Sequence, residues 1–263
     1  NLSQRLGDGA QEERVAGART YHARALVLDR TKLGETDLIL TLLAQDGRQL
    51  RCVAKGARKP GGRLAARVEL FCECDFLVAR GRSLDVVSEA GLVDAHARLR
   101  GDLARVSAAS AVCEVARLTC YEDAPDPFLH AICARALRAC EEAADQAHLD
   151  LAAAAYALKV CAHAGWRPVL DACCACGDPA PSRLSALAGG LLCESCARDV
   201  AGAEEVSPSQ VAWLRALLGS TFDELLSAPV DDSCAAWLLG CAHVWCATHL
   251  EARLRAMEFA LSV

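Results

Sequence analysis

Aromatic side chains are scarce, with Phe, Tyr and Trp together making up 5% of the 263 residues. Between residues 21 and 98 they are only Tyr21, Phe71 and Phe76, too few for the several exposed rings on which a base-stacking platform depends. Long hydrophobic runs are also missing. None approaches the roughly 20 apolar residues that cross a bilayer, and no positively charged segment followed by an apolar stretch opens the chain. The expectation is a soluble, unexported protein with no membrane partner. Catalytic signatures are absent as well. Gly61-Gly62 and Gly189-Gly190 lack the Gly-x4-Gly-Lys frame of a phosphate loop, and no Ser, His and Asp set suggests a triad. His163, His243 and His249 lie on predicted helices without an i,i+4 partner of ligand type, so packing or solvent exposure accounts for them better than metal binding. An enzyme is not expected.

What the chain does have is cysteine, 16 in all. Four of them, Cys173, Cys176, Cys193 and Cys196, stand as C-x2-C-x16-C-x2-C. Each doublet can turn two thiolates toward one point, and the loop between them lets the pairs close a tetrahedron around one structural zinc ion per chain. Four protein thiolates leave no open coordination position, which argues against a zinc hydrolase. Gly177, Pro179, Pro181, Gly189 and Gly190 supply turns around these doublets. Cys174 offers an alternative C-x-C register, but Cys173 and Cys176 have the better spacing. Disulfides or a redox CxxC are the competing uses. The other cysteines fall mostly on apolar positions, where Cys packs as a small hydrophobe. So many thiols with zinc-type spacing point to a reducing cytoplasm.

The net charge of −6 conceals a division along the chain. Residues 21–98 hold 13 Lys and Arg against 10 acids, and residues 99–263 hold 12 against 21. The excess is concentrated between Gly47 and Val68, where Arg48, Arg51, Lys55, Arg58, Lys59, Arg63 and Arg67 occur with no acid among them. Such a block is either a solvated surface or a polyanion site. As a DNA-binding set, the seven would neutralise phosphates and leave base edges unread.

Residues 21–28, 36–44, 48–55, 70–78 and 84–88 read as strands, with a hairpin turn at Asp46-Gly47 and period-two burial from Leu70 to Val78. Five short antiparallel strands suit a closed barrel of the OB kind. From residue 99 the period becomes helical. Leu99, Leu103, Val106, Ser110, Cys113 and Cys120 mark one face of a first helix. Leu129, Ile132, Cys133, Ala136, Leu137 and Cys140 mark a second, capped by Asp126-Pro127. Residues 148–164 form an Ala-rich third helix. Further helices open at Ser207-Pro208 and at the Thr221/Glu224 capping box. A last long helix runs from about Ser233 to Glu258 with Trp237, Leu238, Cys241, Val244 and Trp245 inward.

The fold class expected is α+β and multidomain, a five-stranded OB-fold barrel followed by an all-helical bundle that carries an inserted four-cysteine zinc knuckle. The expected divisions are a disordered segment at 1–20, the nucleic-acid-binding barrel at 21–98, helical segments at 99–168 and 204–263, and the zinc insertion at 169–203.

Specific runs strengthen this. Leu33-Gly34-Glu35-Thr36-Asp37-Leu38-Ile39-Leu40, then Val53-Ala54-Lys55-Gly56-Ala57-Arg58-Lys59, resemble the opening of the DNA repair protein RecO family. Gly165-Trp166-Arg167-Pro168-Val169-Leu170-Asp171, running into Cys173-Cys174-Ala175-Cys176-Gly177 and then Gly189-Gly190-Leu191-Leu192-Cys193, resembles that family's zinc-bearing segment. The C-terminal Leu254-Arg255-Ala256-Met257-Glu258-Phe259 resembles a family ending in which Arg is common where Met257 stands. The resemblance implies a bacterial, cytoplasmic recombination mediator that binds single- and double-stranded DNA and anneals complementary strands. It also implies work with RecR, in some members with RecF, to load RecA onto DNA coated by the single-strand-binding protein SSB, whose C-terminal tail docks on the helical part. The rival readings are a zinc-containing transcription or RNA-binding adaptor and a thiol oxidoreductase.

Overall fold

The computed structural model describes residues 19–263. Of the segment expected to be disordered, only Arg19 and Thr20 fall among the described residues, and Thr20 already opens a strand.

Five strands form a closed barrel: β1 (Thr20–Leu33), β2 (Asp37–Ala44), β3 (Gln49–Ala54), β4 (Glu73–Ala79) and β5 (Asp85–Asp94), in the order β1-β2-β3-β5-β4. All neighbours are antiparallel except β3 and β5, whose short parallel pairing of Cys52 with Asp85 and Val53 with Val86 closes the cylinder. Alternation along each strand sends Val27, Leu40, Leu42, Cys52, Cys74, Phe76 and Val78 into one apolar interior. The result is the OB-fold barrel expected from the pattern. Gly47 turns the β2–β3 hairpin at φ 86°, and a Cβ there would run into the backbone of Asp126. Only glycine permits both the turn and the approach.

After a 3-10 turn at Ala97–Arg100 come α1 (Leu103–Thr119), α2 (Pro127–Glu142) and α3 (Gln146–His163). Each starts at an Asp whose carboxylate accepts from a backbone N–H: Asp102 from Arg105, Asp126 from Phe128 and Asp145 from His148. The small unit that follows contains β6 (Arg183–Ser185), β7 (Gly190–Leu192), the short α4 (Glu194–Ala197) and β8 (Glu204–Glu205), with sheet order β7-β6-β8. The bundle then resumes with α5 (Pro208–Gly219), α6 (Phe222–Ser227), α7 (Asp232–His249) and α8 (Arg255–Ala260). Both α5 and α6 begin with complete capping boxes, Ser207/Gln210 and Thr221/Glu224. No helix among the described residues is long and apolar enough to cross a membrane.

α3 is the axis of the bundle. Every residue from Leu149 to Leu158 is buried, because α1, α2, α5, α6 and α7 surround it. Its alanines let those helices approach closely. The second-helix face expected from the sequence is buried as read.

Two expectations fail. The first-helix stripe does not hold: Leu99 belongs to the 3-10 turn, Cys120 is the C-cap, and Leu103 is 59% exposed. α1 is buried on several sides by α2, α3 and α8, so burial is not confined to one periodic face. The last long helix is in fact two. Leu250 ends α7, Glu251 takes φ 50°, and α8 restarts at Arg255. The Glu114 carboxylate of α1 accepts from the backbone N–H groups of Ala256 and Met257 at 2.9 and 3.1 Å, capping α8 from another helix. Met257 is fully buried beneath this cap. Val244, expected inward, is 54% exposed, whereas Leu238 and Trp245 are buried.

Barrel and bundle share one apolar core, since Leu26, Leu28, Leu43 and Phe71 pack into the helical cluster. Polar contacts fix the seam. Gln49 Nε2 donates to the carbonyls of Arg117 and Cys120 at 2.9 and 3.2 Å, and Arg117 bonds Asp29 at 2.6 Å.

Candidate nucleic-acid interface

The connection from β3 to β4 leaves the barrel at Lys55 and is tied down at once to the β1–β2 turn. Asp37 accepts from Gly56 N–H at 2.8 Å and from Thr36 Oγ1 at 2.9 Å. The Gly56 bond, then the Thr36 bond, holds the Asp37 carboxyl below its ordinary range. Arg58 N–H donates to the Thr36 carbonyl at 2.9 Å, and Arg58 Nη1 donates to the carbonyls of Gly34 and Glu35 at 3.2 and 3.0 Å. These bonds engage part of the guanidinium with its own turn and leave the side chain exposed. Lys55, Lys59 and Arg63 are exposed on the same connection.

The seven cations singled out in the sequence therefore do not form one surface. Lys55, Arg58, Lys59 and Arg63 share the loop at one end of β3. Arg51 is exposed on β3 itself, opposite Thr41 of β2. Arg67 reaches across to β5, where its Nη1 donates to the Ala90 carbonyl at 2.9 Å. Arg48 is at the other end of β3, in the hairpin that abuts the helices, and pairs with Asp46 at 2.6 Å.

Other cations extend the rim. Lys32, exposed near the end of β1, pairs with Leu38, which in turn pairs with Ala54 at the exit to the loop. Arg80 and Arg82 are exposed in the β4–β5 connection, and β5 enters the sheet beside Cys52, next to Arg51. In an OB barrel the β2–β3 face, flanked by the β1–β2 and β4–β5 connections, is where an oligonucleotide lies. Here that face carries exposed Arg51 and half-buried Ile39 and Val53, with Thr41 buried between the strands and no aromatic ring among these residues. The nearby Tyr21 is half-buried, donates to Asp85 at 2.7 Å and lies under the Arg80 guanidinium. Sequence reading missed Lys32, Arg80 and Arg82 because acids interrupt their runs. Strand pairing brings Lys32 to the exit of the loop, and the parallel entry of β5 puts Arg80 and Arg82 toward the Arg51 side of the β2–β3 face.

The four cysteines of the double doublet converge. The Sγ atoms of Cys173, Cys176, Cys193 and Cys196 all lie within 4.8 Å of one another, an arrangement that could hold a metal ion. Two turns create it. Gly177 N–H donates to the Cys173 carbonyl at 2.8 Å, while Cys193 caps α4 and so places Cys196 one turn on. Val169 pairs with Gly190 to close the base of the unit, and a Cβ on Gly190 would strike the Val169 carbonyl. Cys174 takes no part in the cluster, since its Sγ donates to the Ala188 carbonyl at 3.5 Å.

The electrostatics fit a cation. The Cys193 backbone N–H, with those of Cys176 and Ala175, brings the Cys173 thiol down to about 6. Ser195 Oγ, then the Cys196 N–H, lowers Cys193. Cys196 is pushed up to about 12 by Cys193 and then Cys176. Four sulfurs this close cannot all ionise until a positive ion offsets their repulsion. The other thiols are largely buried in the cores, and burial raises most of them.

The chain matches the family described as Recombination protein O N terminal over residues 19–96, which includes the whole barrel. It matches Recombination protein O C terminal over residues 100–258, which includes α1 to α7 and the four-cysteine unit. Barrel, basic rim and thiol cluster thus lie within two matches that together span nearly all of the described chain, and the chain belongs to the recombination protein O family, which acts in DNA repair and recombination.

Proposed function

We propose that this protein is a recombination mediator that grips single- and double-stranded DNA by its sugar-phosphate backbone and anneals complementary strands. With RecR it helps load RecA onto SSB-coated DNA. The observation that carries this reading is the rim itself: Lys55, Arg58, Lys59 and Arg63 exposed on one loop, with Lys32 and Arg51 beside it and no ring on the adjoining face. Cations without stacking partners hold phosphates, lower the repulsion between two strands, and leave the Watson–Crick edges free to pair. No bond is made or broken. Arg48 and Arg67, engaged with Asp46 and Ala90, contribute less than the loop.

The thiolates of Cys173, Cys176, Cys193 and Cys196 would hold structural zinc, which rigidifies the unit between α3 and α5 and offers no open coordination position. The acidic helical part serves as scaffold and protein-contact surface, including the site for the SSB tail, with RecF a further partner. A zinc-containing transcription or RNA-binding adaptor is the alternative reading. It requires sequence-selective binding and no annealing.

The test is annealing of complementary oligonucleotides coated with cognate SSB, with and without purified RecR. The wild type is expected to anneal, and the triple variant Arg58→Glu, Lys59→Glu, Arg63→Glu to lose DNA affinity by on the order of 100-fold at low salt while keeping its fold. Unchanged DNA binding by that variant contradicts the reading.

A further inference from the structure

A cleft of about 540 Å³ opens in the helical part beside the β2–β3 hairpin, at the opposite end of β3 from Lys55. Its walls come from the end of α1 and the turn after it, the start of α2, the end of α3, and the break between α7 and α8. The indole of Trp166 is part of its apolar lining, with Leu118, Leu129 and Leu250. The ring stacks on His249 at 4.8 Å, and the backbone beneath it is anchored where the Trp166 carbonyl accepts from Trp245 Nε1 at 2.9 Å. Even so, Trp166 remains 47% exposed. A ring fixed on one side and open on the other is already organised to accept a flat partner, with little ordering cost left at binding. Tyr121, 63% exposed, stands on the α1–α2 turn that forms another wall.

Charge decides what that partner is. The described lining contains two carboxylates, Asp126 and Glu251, and no Lys or Arg. Glu122 and Asp123 are exposed on the adjoining turn; outside the lining, the exposed Arg167 follows Trp166 in sequence, and Arg253 lies between α7 and α8 with its guanidinium paired to Glu258 at 2.9 Å. Asp126 already bonds His163 Nε2 at 2.6 Å, and that imidazole stacks on Phe128 at 4.1 Å, so this wall is fixed. Glu251 makes no ion pair among the described residues and sits at the α7–α8 break with φ 50°. Burial lowers the His249 pKa, so the ring beneath Trp166 is neutral near pH 7. A phosphate, or the acidic tail of a partner, would meet like charge here. A guanidinium would find an indole face for cation–π stacking and carboxylates for paired hydrogen bonds.

We propose that this cleft is a docking site for an arginine side chain presented by a partner protein, with the guanidinium stacked on Trp166 and bonded to Glu251. It is separate from the phosphate-binding rim in place and opposite to it in charge. Protein docking and DNA binding can therefore occur on one molecule at the same time.

The experiment titrates the full-length protein with a blocked Gly-Arg-Gly peptide, its citrulline counterpart and a short oligothymidylate, following the Trp indole N–H signals by NMR. The arginine peptide is expected to shift the Trp166 signal saturably, whereas neutral citrulline, which keeps the shape but not the charge, shifts it little. Glu251→Gln, a change at an exposed residue that leaves the core intact, should weaken arginine binding by about tenfold while the indole spectrum of the free protein stays the same. Trp166→Phe should retain part of the affinity. Equal responses to arginine and citrulline, no saturable response at millimolar peptide, or a Trp166 shift caused by the oligothymidylate instead would each overturn the proposal.

Discussion

Asp37 shows how a single acid organises a basic surface. Its carboxylate holds the Gly56 N–H at the root of the loop that carries Lys55, Arg58, Lys59 and Arg63. Because its folded pKa is depressed, the order it provides is complete above the unfolded value of about 4 and is lost as pH falls through the lower folded value. Asp37→Ala is expected to speed hydrogen exchange at Gly56 at neutral pH and to reduce DNA affinity without changing the net number of loop cations. Unchanged exchange there would remove Asp37 from the account.

Asp150 behaves in the opposite sense. Burial within α3 raises its pKa to about 6, against which the hydrogen bond from Gln146 is a smaller, lowering effect. An acid whose folded pKa is raised favours folding while protonated, so this contribution falls as pH rises from about 4 to about 6. Asp150→Asn should therefore stabilise the protein near pH 7 by on the order of 2 kcal/mol and have little effect near pH 4, as read from urea midpoints. At this scale the sequence revealed which residue types mattered but not which of them meet. Arg48 and Lys59 belong to the same acid-free run, yet one is engaged by Asp46 at the helical seam and the other is exposed on the rim. Lys32, outside the run, is brought to the rim by strand pairing.

Elements with local signals were legible and those with distant causes were not. Asp126-Pro127, Ser207-Pro208 and Thr221 with Glu224 announce α2, α5 and α6 within four residues, and the structure starts helices at all three. The division of the last helix depends instead on Glu114, more than 140 residues away in sequence. Glu114→Ala should cost about 1 kcal/mol or somewhat more of stability, because it leaves two backbone donors of α8 without their acceptor, and thermal denaturation would report it. The four-cysteine unit was legible because thiolate chemistry fixes its spacing. On the proposal that the unit holds structural zinc, a strong chelator should destroy the order of residues 173–196 and lower the melting temperature. Affinity for single-stranded DNA, which we propose the barrel rim provides, should be retained. A chelated protein with an unaltered melting temperature would argue against a structural metal.

For the whole molecule, the division of charge seen in the sequence becomes a division of surfaces. The barrel carries the acid-free loop of exposed cations, the helical part carries most of the acids together with scattered exposed arginines such as Arg138, Arg167 and Arg253, and the seam between them is closed by Leu26, Leu43 and Phe71 within the bundle's own core and by the Arg117–Asp29 pair. A shared core prevents the two parts from moving as beads on a string, so the loop cations keep a fixed relation to the surfaces of the helices. This seam was invisible in the sequence, because Gly47 and Gln49 read as ordinary hairpin residues and take their meaning from Asp126 and Arg117 across the interface.

The central claim is that cations on the barrel rim bind phosphates without reading bases. It is tested most directly by measuring the affinity for two single strands of unrelated sequence across a range of salt concentrations. Four or five phosphate contacts predict that log K falls with log salt at a slope of about −3, nearly the same for both strands and much shallower for the Arg58→Glu, Lys59→Glu, Arg63→Glu variant. A slope near zero, or affinities for the two strands that differ by orders of magnitude, would contradict it.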